Sequence, residues 1–321
     1  MTSTDDTEQP DTALAARLTV APASLDDWHG VVEWAAAEDW NPGDGDTPCF
    51  HPTDPAGFFL GRLDGKPVSA ISIVGYSPEY AFLGYYLVHP EYRGRGLGLA
   101  TWRAAWPYAG DRTVGLDAVP AQQPIYERCG FVAAYRTLRY AGRPRRSAPA
   151  GPAESTGSAE PAGSADSAGS AGSAGPSVRP VGARELDAIA AYDRQCFPAD
   201  RYAFLGRWLG GGERTAYVCE RDGAVAGYGV LRPARDGQRI GPLFADDAEA
   251  ATALFDALAG RLAPGEEVYI DVPESNTAAC ALAEARGLTE RSHTIRMYRG
   301  ADNRELPPVT RTFGVTSLEL G

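Results

Sequence analysis

Between the apolar run "YYLVHPEY" and the segment "LATWRAAWPYA" stand six residues, Arg93-Gly94-Arg95-Gly96-Leu97-Gly98, with three glycines and two arginines. The spacing predicts a strand before them and a helix after. A strand that feeds straight into a helix leaves the first helical N–H groups without acceptors, and the helix dipole adds positive potential there. Glycine lets an anion approach that backbone without meeting a Cβ. Arg93 and Arg95 add charge-assisted donors. These residue types in this order fit a diphosphate site, or a tight structural turn. The sequence lacks GxxxxGK[ST], and no GxGxxG opens a first βα unit, which argues against a nucleotide triphosphatase or a dinucleotide fold.

Metal and thiol chemistry have little footing. The five cysteines, at 49, 129, 196, 219 and 280, form no CxxC pair, and the four histidines are dispersed. Reduced, buried thiols in a cytoplasmic protein are the expectation. His89, beside Pro90, reads as a turn residue. The formal net charge of −12 and a pI near 4.9 argue against a nucleic-acid or anionic-membrane partner. The first residues, "MTSTDDTEQPDTALAARL", lack the apolar stretch of a secretory leader. No apolar run is long enough to span a membrane.

The glycine turn sits in the middle of a strand–helix succession running from about Arg17 to Gly142. Ser24 is placed to cap the helix "LDDWHGVVEWAAAEDW", and Asp64-Gly65 to turn a hairpin. From Arg143 to Ser177 no large apolar residue occurs, so a flexible linker is expected over 143–177. The remainder repeats the first part. Both copies run strand, aspartate (Asp117, Asp271), helix and a Gly-apolar pair (Gly130-Phe131, Gly287-Leu288). Seven residues beyond each glycine come "TLRY" and "TIRM". A repeat of domain size reads as two copies of one fold, 15–142 and 178–321, able to pack as a pseudo-dimer. The tail "RTFGVTSLEL" reads as a further strand that closes a sheet or bridges the halves.

The segment "YYLVHPEYRGRGLGLATWRAA" resembles the GNAT acetyltransferase superfamily, whose [Q/R]xxGx[G/A] signature is met by Arg93, Gly96 and Gly98. "IYERCGF" at 125–131 is similar to a second family motif. "EDWNPGDGDTPCFHPTDPAGFF" resembles a subgroup of tandem GNAT proteins with a divergent C-terminal GNAT domain. The resemblance implies an α/β fold of two such domains built on mixed sheets. It implies acetyl-CoA as co-substrate, no metal, and an amine of a small molecule or peptide as acceptor. The amides from Arg93 through Gly94, Arg95, Gly96, Leu97 and Gly98 to Leu99 would hold the pyrophosphate. Tyr86, Leu87 and Val88 would pair with the pantetheine arm, and a bulge would offer an oxyanion-type amide near Val88. Tyr126 would protonate the leaving thiolate.

The proton acceptor stays open among Glu38, Asp39, Glu79, Tyr85 and Asp117, or water alone. The aromatic residues Trp34, Trp40, Phe58, Phe59, Tyr76 and Tyr80 either line an acceptor cleft or fill the core. Val119 replaces the asparagine that the family often carries seven residues before the tyrosine. In the second copy Asp246 and Asp247 stand where a pyrophosphate would sit, and Ala283 replaces the tyrosine. That copy is expected to bind no CoA and to shape the acceptor pocket. The expected activity is N-acetyl transfer by direct attack, in a monomer built as a pseudo-dimer or in a homodimer. The alternatives are a non-catalytic acyl-CoA sensor and a transferase of longer acyl groups.

Overall fold

A computed structural model describes residues 12–145, 175–182, 184–300 and 306–321. The linker expected over 143–177 falls outside these residues from 146 to 174.

The first half begins with the short helix α1 (Thr12–Ala16), strand β1 (Leu18–Pro22) and helix α2 (Leu25–Ala37). Ser24 and Asp27 form a reciprocal capping box at the start of α2, which buries Trp28, Val31 and Ala35 along one stripe. After the one-turn helix α3 (Thr47–Phe50), β2 (Phe58–Leu63) and β3 (Lys66–Gly75) form the expected hairpin. Its turn residues Asp64 and Gly65 both take positive φ, 49° and 83°, as a tight two-residue turn requires. Then come β4 (Tyr80–Val88), α4 (Leu97–Ala105), β5 (Thr113–Ala118), α5 (Gln123–Arg128) and β6 (Val132–Gly142).

The second half repeats the order. β7 (Ser177–Pro180), α6 (Leu186–Asp193) and α7 (Tyr202–Gly210) lead to the hairpin β8 (Thr215–Arg221) and β9 (Ala224–Pro233). β10 (Gln238–Ala245), α8 (Ala248–Ala259), β11 (Val268–Pro273), α9 (Thr277–Ala285) and β12 (Thr289–Arg299) follow, with a final strand β13 (Thr312–Gly314).

All the strands belong to one sheet, in the order β1-β2-β3-β4-β5-β12-β6-β11-β10-β9-β8-β7, with β13 beside β10. The two copies therefore interlock in one sheet. Each gives the last strand of its repeat to the other: β12 pairs with β5, and β6 pairs with β11. The register supplies the physical reason. It sets Arg139 of β6 directly opposite Asp271 of β11, and Arg296 of β12 directly opposite Asp117 of β5. Both pairs close as ion pairs, Arg139 Nε to Asp271 Oδ1 at 2.8 Å and Arg296 to Asp117 Oδ2 at 2.7 Å. The "TLRY" and "TIRM" repeats and the two aspartates thus lock the halves crosswise.

The α2–α3 loop of the first half adds a second clamp. Asn41 and Asp236 exchange hydrogen bonds of 2.9 and 3.0 Å, and Asp46 accepts from Arg214 and Arg232. No helix among the described residues is long and apolar enough to cross a membrane.

Candidate active site

β4 and β5 run parallel and paired from Tyr80↔Thr113 to Leu83↔Leu116, and beyond that point they part. The parting coincides with a bulge. Gly84 lies opposite Ser72 and Leu87 opposite Ala70, so Tyr85 and Tyr86 together face the single residue Ile71. Tyr85 takes φ of 46°, a left-handed conformation rare for an aromatic residue. The bulge thus lies where the strands part, two residues before Val88, near which an oxyanion-type amide was expected. From Gly84 to Val88 the β5-facing edge of β4 has no strand partner among the described residues.

At the end of β4 the chain reaches the glycine turn. Gly94 and Gly96 hold φ of 75° and 78°, and Gly96 is the N-cap of α4 with no side chain to close it. Among the described residues, no acceptor lies against the amides from Gly94 to Leu99. At Gly98 a Cβ would come within 3.1 Å of the Tyr86 hydroxyl and Val88 Cγ2. The backbone there lies open only because the residue is glycine. This is an anion-binding helix start feeding an open strand edge.

A cavity of about 1390 Å³ connects the two. Its lining includes Gly94, Gly96, Leu97 and Gly98 of the turn, Tyr86, Leu87, Val88 and Tyr126, then Thr137 and Arg139 of β6, Leu318 and Glu319 of the tail, and Asp236, Tyr269 and His293. Arg95 and Leu99 are not among the residues that line it. Arg93 touches it, but its guanidinium is held by the Glu38 carboxylate and by the Val88 carbonyl, 3.0 Å away. Of the two arginines, Arg95 is the one with no ion pair among the described residues; it packs 5.7 Å from the Tyr92 ring centroid.

Of the six residues named for proton transfer, Tyr126, Tyr85, Glu38, Asp39 and Asp117 line the cavity, yet they differ in what they can do. Tyr126 is 8% exposed, packed against Trp102, Tyr86 and Phe131. Burial pushes its phenol above the ordinary value, so it keeps a proton to give. Tyr85 packs edge-on against Trp28, and burial raises its phenol well above the ordinary value; it is no base near neutral pH. Glu38 is engaged by Arg93. Asp39 is exposed, at φ of 60°, on the α2–α3 loop.

Asp117 also reaches the cavity, but Arg296, Thr137 and Thr294 occupy it; Glu79 lies outside. Of the six aromatic residues, Trp40 lines the cavity and the others pack elsewhere. Sequence reasoning did not single out Leu318 and Glu319. The tail that carries them was legible as a strand, but its destination beside Gly84 was not.

Comparison with known proteins bears on this arrangement. The description "Acetyltransferase (GNAT) family" matches residues 25–131, and "Acetyltransferase (GNAT) domain" matches residues 189–310. A protein of Pseudoalteromonas sp. (strain SANK 73390) named holothin acyltransferase is 33% identical over 303 residues, covering 94% of each chain. The chain belongs to the GNAT acyltransferase family. It is a tandem member. A putative acetyltransferase from Pyrococcus horikoshii shares the fold at a TM-score of 0.72 and 22% identity, over 95% of this chain and 96% of that one. A tandem GNAT protein from the clavulanic acid biosynthesis pathway does so at 0.55 and 17%, over 88% and 98%. Acyl-CoA is the family's co-substrate.

The second GNAT domain has the same plan with its openings filled. β10 and β11 pair only from Gln238↔Val268 to Ile240↔Ile270, and β10 bulges at the position equivalent to the β4 bulge. Into this parting goes β13, which pairs with β10 while Val315 N donates to the Asp271 carbonyl at 2.9 Å. The helix start that would meet a diphosphate is closed by Asp247. Its Oδ1 accepts from the amides of Glu249 and Ala250 at 3.1 and 3.0 Å, and Arg221 pairs with the same carboxylate. Hydrogen bonding to Arg221, with those amides, holds the Asp247 carboxyl below its ordinary value. Asn276, where the family's asparagine falls, is spent on structure. Its Oδ1 caps α9, and its Nδ2 donates to the carbonyls of Val309, Thr310 and Thr312.

Proposed function

We propose that the first GNAT domain transfers an acetyl group from acetyl-CoA to an amine of a small molecule, with the second domain completing the acceptor chamber. One contrast carries this reading. The first domain offers unpartnered amides and an open strand edge on one cavity, whereas the second fills both equivalents with its own chain. Calorimetry is expected to find one CoA per chain; two would refute the division of labour.

In this mechanism the turn from Gly94 to Leu99 holds the pyrophosphate, with Arg95 free to join. Tyr86, Leu87 and Val88 carry the pantetheine along the open edge. The amine attacks the thioester carbon, the C–N bond forms as the C–S bond breaks, and Tyr126 gives its proton to the departing thiolate. Tyr126→Phe removes the donor and keeps the ring packing. It is expected to lower kcat roughly 100- to 10,000-fold, in the range of one general acid, with CoA affinity within about twofold. An unchanged kcat would dismiss Tyr126 as the acid.

The relative's name supports holothin as the first acceptor to test. Thioester consumption with holothin and a panel of amines separates this reading from an acyl-CoA sensor, which binds and never turns over. That name also says acyl, not acetyl. Rates over a series of acyl-CoA lengths therefore test the donor, and a preference for longer chains would correct the acetyl assignment.

A further inference from the structure

We propose that Glu319, on the C-terminal tail, is the carboxylate that binds the acceptor amine in the first domain and takes its proton. The proposal rests on the acyl-transfer reading above and names a residue within it. Glu319 is 4% exposed and lines the same cavity as Tyr126, Tyr86 and the glycine turn.

The tail is built to hold it there. After β13 it passes Gly241 and then Gly84, the equivalent bulge glycines of the two domains. At Gly84 any Cβ would run into the Glu319 carbonyl. The Ser317 hydroxyl accepts from the amides of Glu319 and Leu320, at 3.2 and 3.0 Å, and the Tyr76 hydroxyl donates to the Leu320 carbonyl at 3.0 Å. Arg201 donates to the Thr316 hydroxyl at 2.8 Å, and Arg232 to its carbonyl at 3.1 Å.

The carboxylate differs from the other buried acids. Asp46, Asp193 and Asp271 are each bound by arginine. Among the described residues the Glu319 side chain has no hydrogen-bond or ion-pair partner, although its charge is felt by Tyr85 of β4, Arg232 of β9 and Arg239 of β10. Asp46 faces the same three groups, and Asp271 faces Arg239. The residue is largely buried, yet its carboxylate opens on the cavity with no protein donor beside it, so what enters the cavity is what can pair with it. A cationic ammonium entering the cavity would do so.

Of the other acids lining the cavity, Glu38 is bound by Arg93, Asp117 by Arg296 and Glu267 by Arg291, Asp236 accepts from the Tyr269 hydroxyl, and Asp39 is exposed on its loop. In the step itself, the acceptor ammonium gives one proton to Glu319. The free amine attacks the thioester carbon, the C–N bond forms as the C–S bond breaks, the nitrogen loses its second proton to solvent, and the thiolate takes the proton of Tyr126. Glu319 then passes its proton to solvent, and Tyr126 regains one from there. The net products are amide, CoA thiol and one proton.

The test uses the full chain, CoA calorimetry, and acetyl-CoA consumption with either water or benzylamine as the nucleophile. E319Q is expected to keep the CoA Kd within twofold and to lower both rates at least tenfold. The acid limb of its kcat/KM–pH profile should disappear. E319A is expected to behave alike and to regain activity with added formate, which a purely structural loss would not. Rates in E319Q and E319A within twofold of the wild type overturn the proposal, as does a loss that formate never restores. A wild-type chain that binds no CoA would remove the acyl-transfer reading itself, a result separable from the variants' behaviour.

Discussion

Replacing Gly98 with aspartate is expected to weaken CoA binding by roughly a thousandfold while leaving the fold intact. Gly98 is the second residue of α4, after the N-cap Gly96, on the wall of the cavity. Its φ is not in the left-handed region, so another residue can adopt its backbone. An acid in the first turn also suits the helix dipole, so α4 should be stabilised slightly. What changes is the field seen by the ligand. A carboxylate about 4 Å from a phosphate charge, at an effective dielectric near 20, opposes binding by about 4 kcal/mol, or roughly three decades in Kd.

Gly98→Ala separates charge from bulk. Its methyl would sit 3.1 Å from the Tyr86 hydroxyl and Val88 Cγ2, a contact relieved by shifts of a few tenths of an ångström. It is expected to lose about tenfold at most. Calorimetry with CoA, beside a thermal melt of each variant, reads both outcomes. Equal affinity in wild type and Gly98→Asp would mean that the diphosphate does not bind at this helix start. The second domain has already made the equivalent choice: Asp247 closes its helix start with a carboxylate.

Much of this was legible because it is local. The glycine turn, the Ser24 cap and the Asp-Gly hairpins depend on a few adjacent residues whose backbone preferences are strong. The exchange of final strands was not. Two copies of one repeat can pair their last strands with themselves or with each other in the same pattern, and alternation along β6 or β12 is identical either way. The distinguishing signal lay in the repeated arginines: Arg139 and Arg296 answer Asp271 and Asp117 only across the copies. Glu319 was hidden for a similar reason. A lone acid in an apolar tail gains meaning only from where the tail lands, and that is set by contacts at Gly84, some 235 positions earlier in the sequence. Glu38 and Arg93 were each assigned a role of their own, but folding brings them together.

The crosswise lock supports the other large effect. Asp271 is shared by Arg139 and Arg239, which also donate to the carbonyls of Trp40 and Asn41, at 2.8 Å each. Removing the Asp271 charge with Asp271→Asn strands two buried guanidinium groups. Removing Arg139 leaves the aspartate its second partner. Breaking a buried pair on one side costs about 3–5 kcal/mol, a Tm drop on the order of 10 °C for a chain of this size. Asp271→Asn should therefore be the more damaging of the two, and Arg139→Met the milder.

Because β6 belongs to one copy by sequence and the other by pairing, the loss should lower a single transition, with both halves unfolding together. Two separated transitions, or a milder Asp271→Asn, would refute the lock. The pH dependence has a fixed sign. Burial opposes ionisation of Asp271, but Arg139 and Arg239 outweigh it and hold the carboxyl below its ordinary 3.8. Its contribution is complete above that unfolded-state value and is lost as pH falls below it toward the folded one. The stability gap between wild type and Asp271→Asn should therefore be constant above about pH 5 and shrink below about pH 4. A gap that instead widened in acid would place the stabilising charge elsewhere.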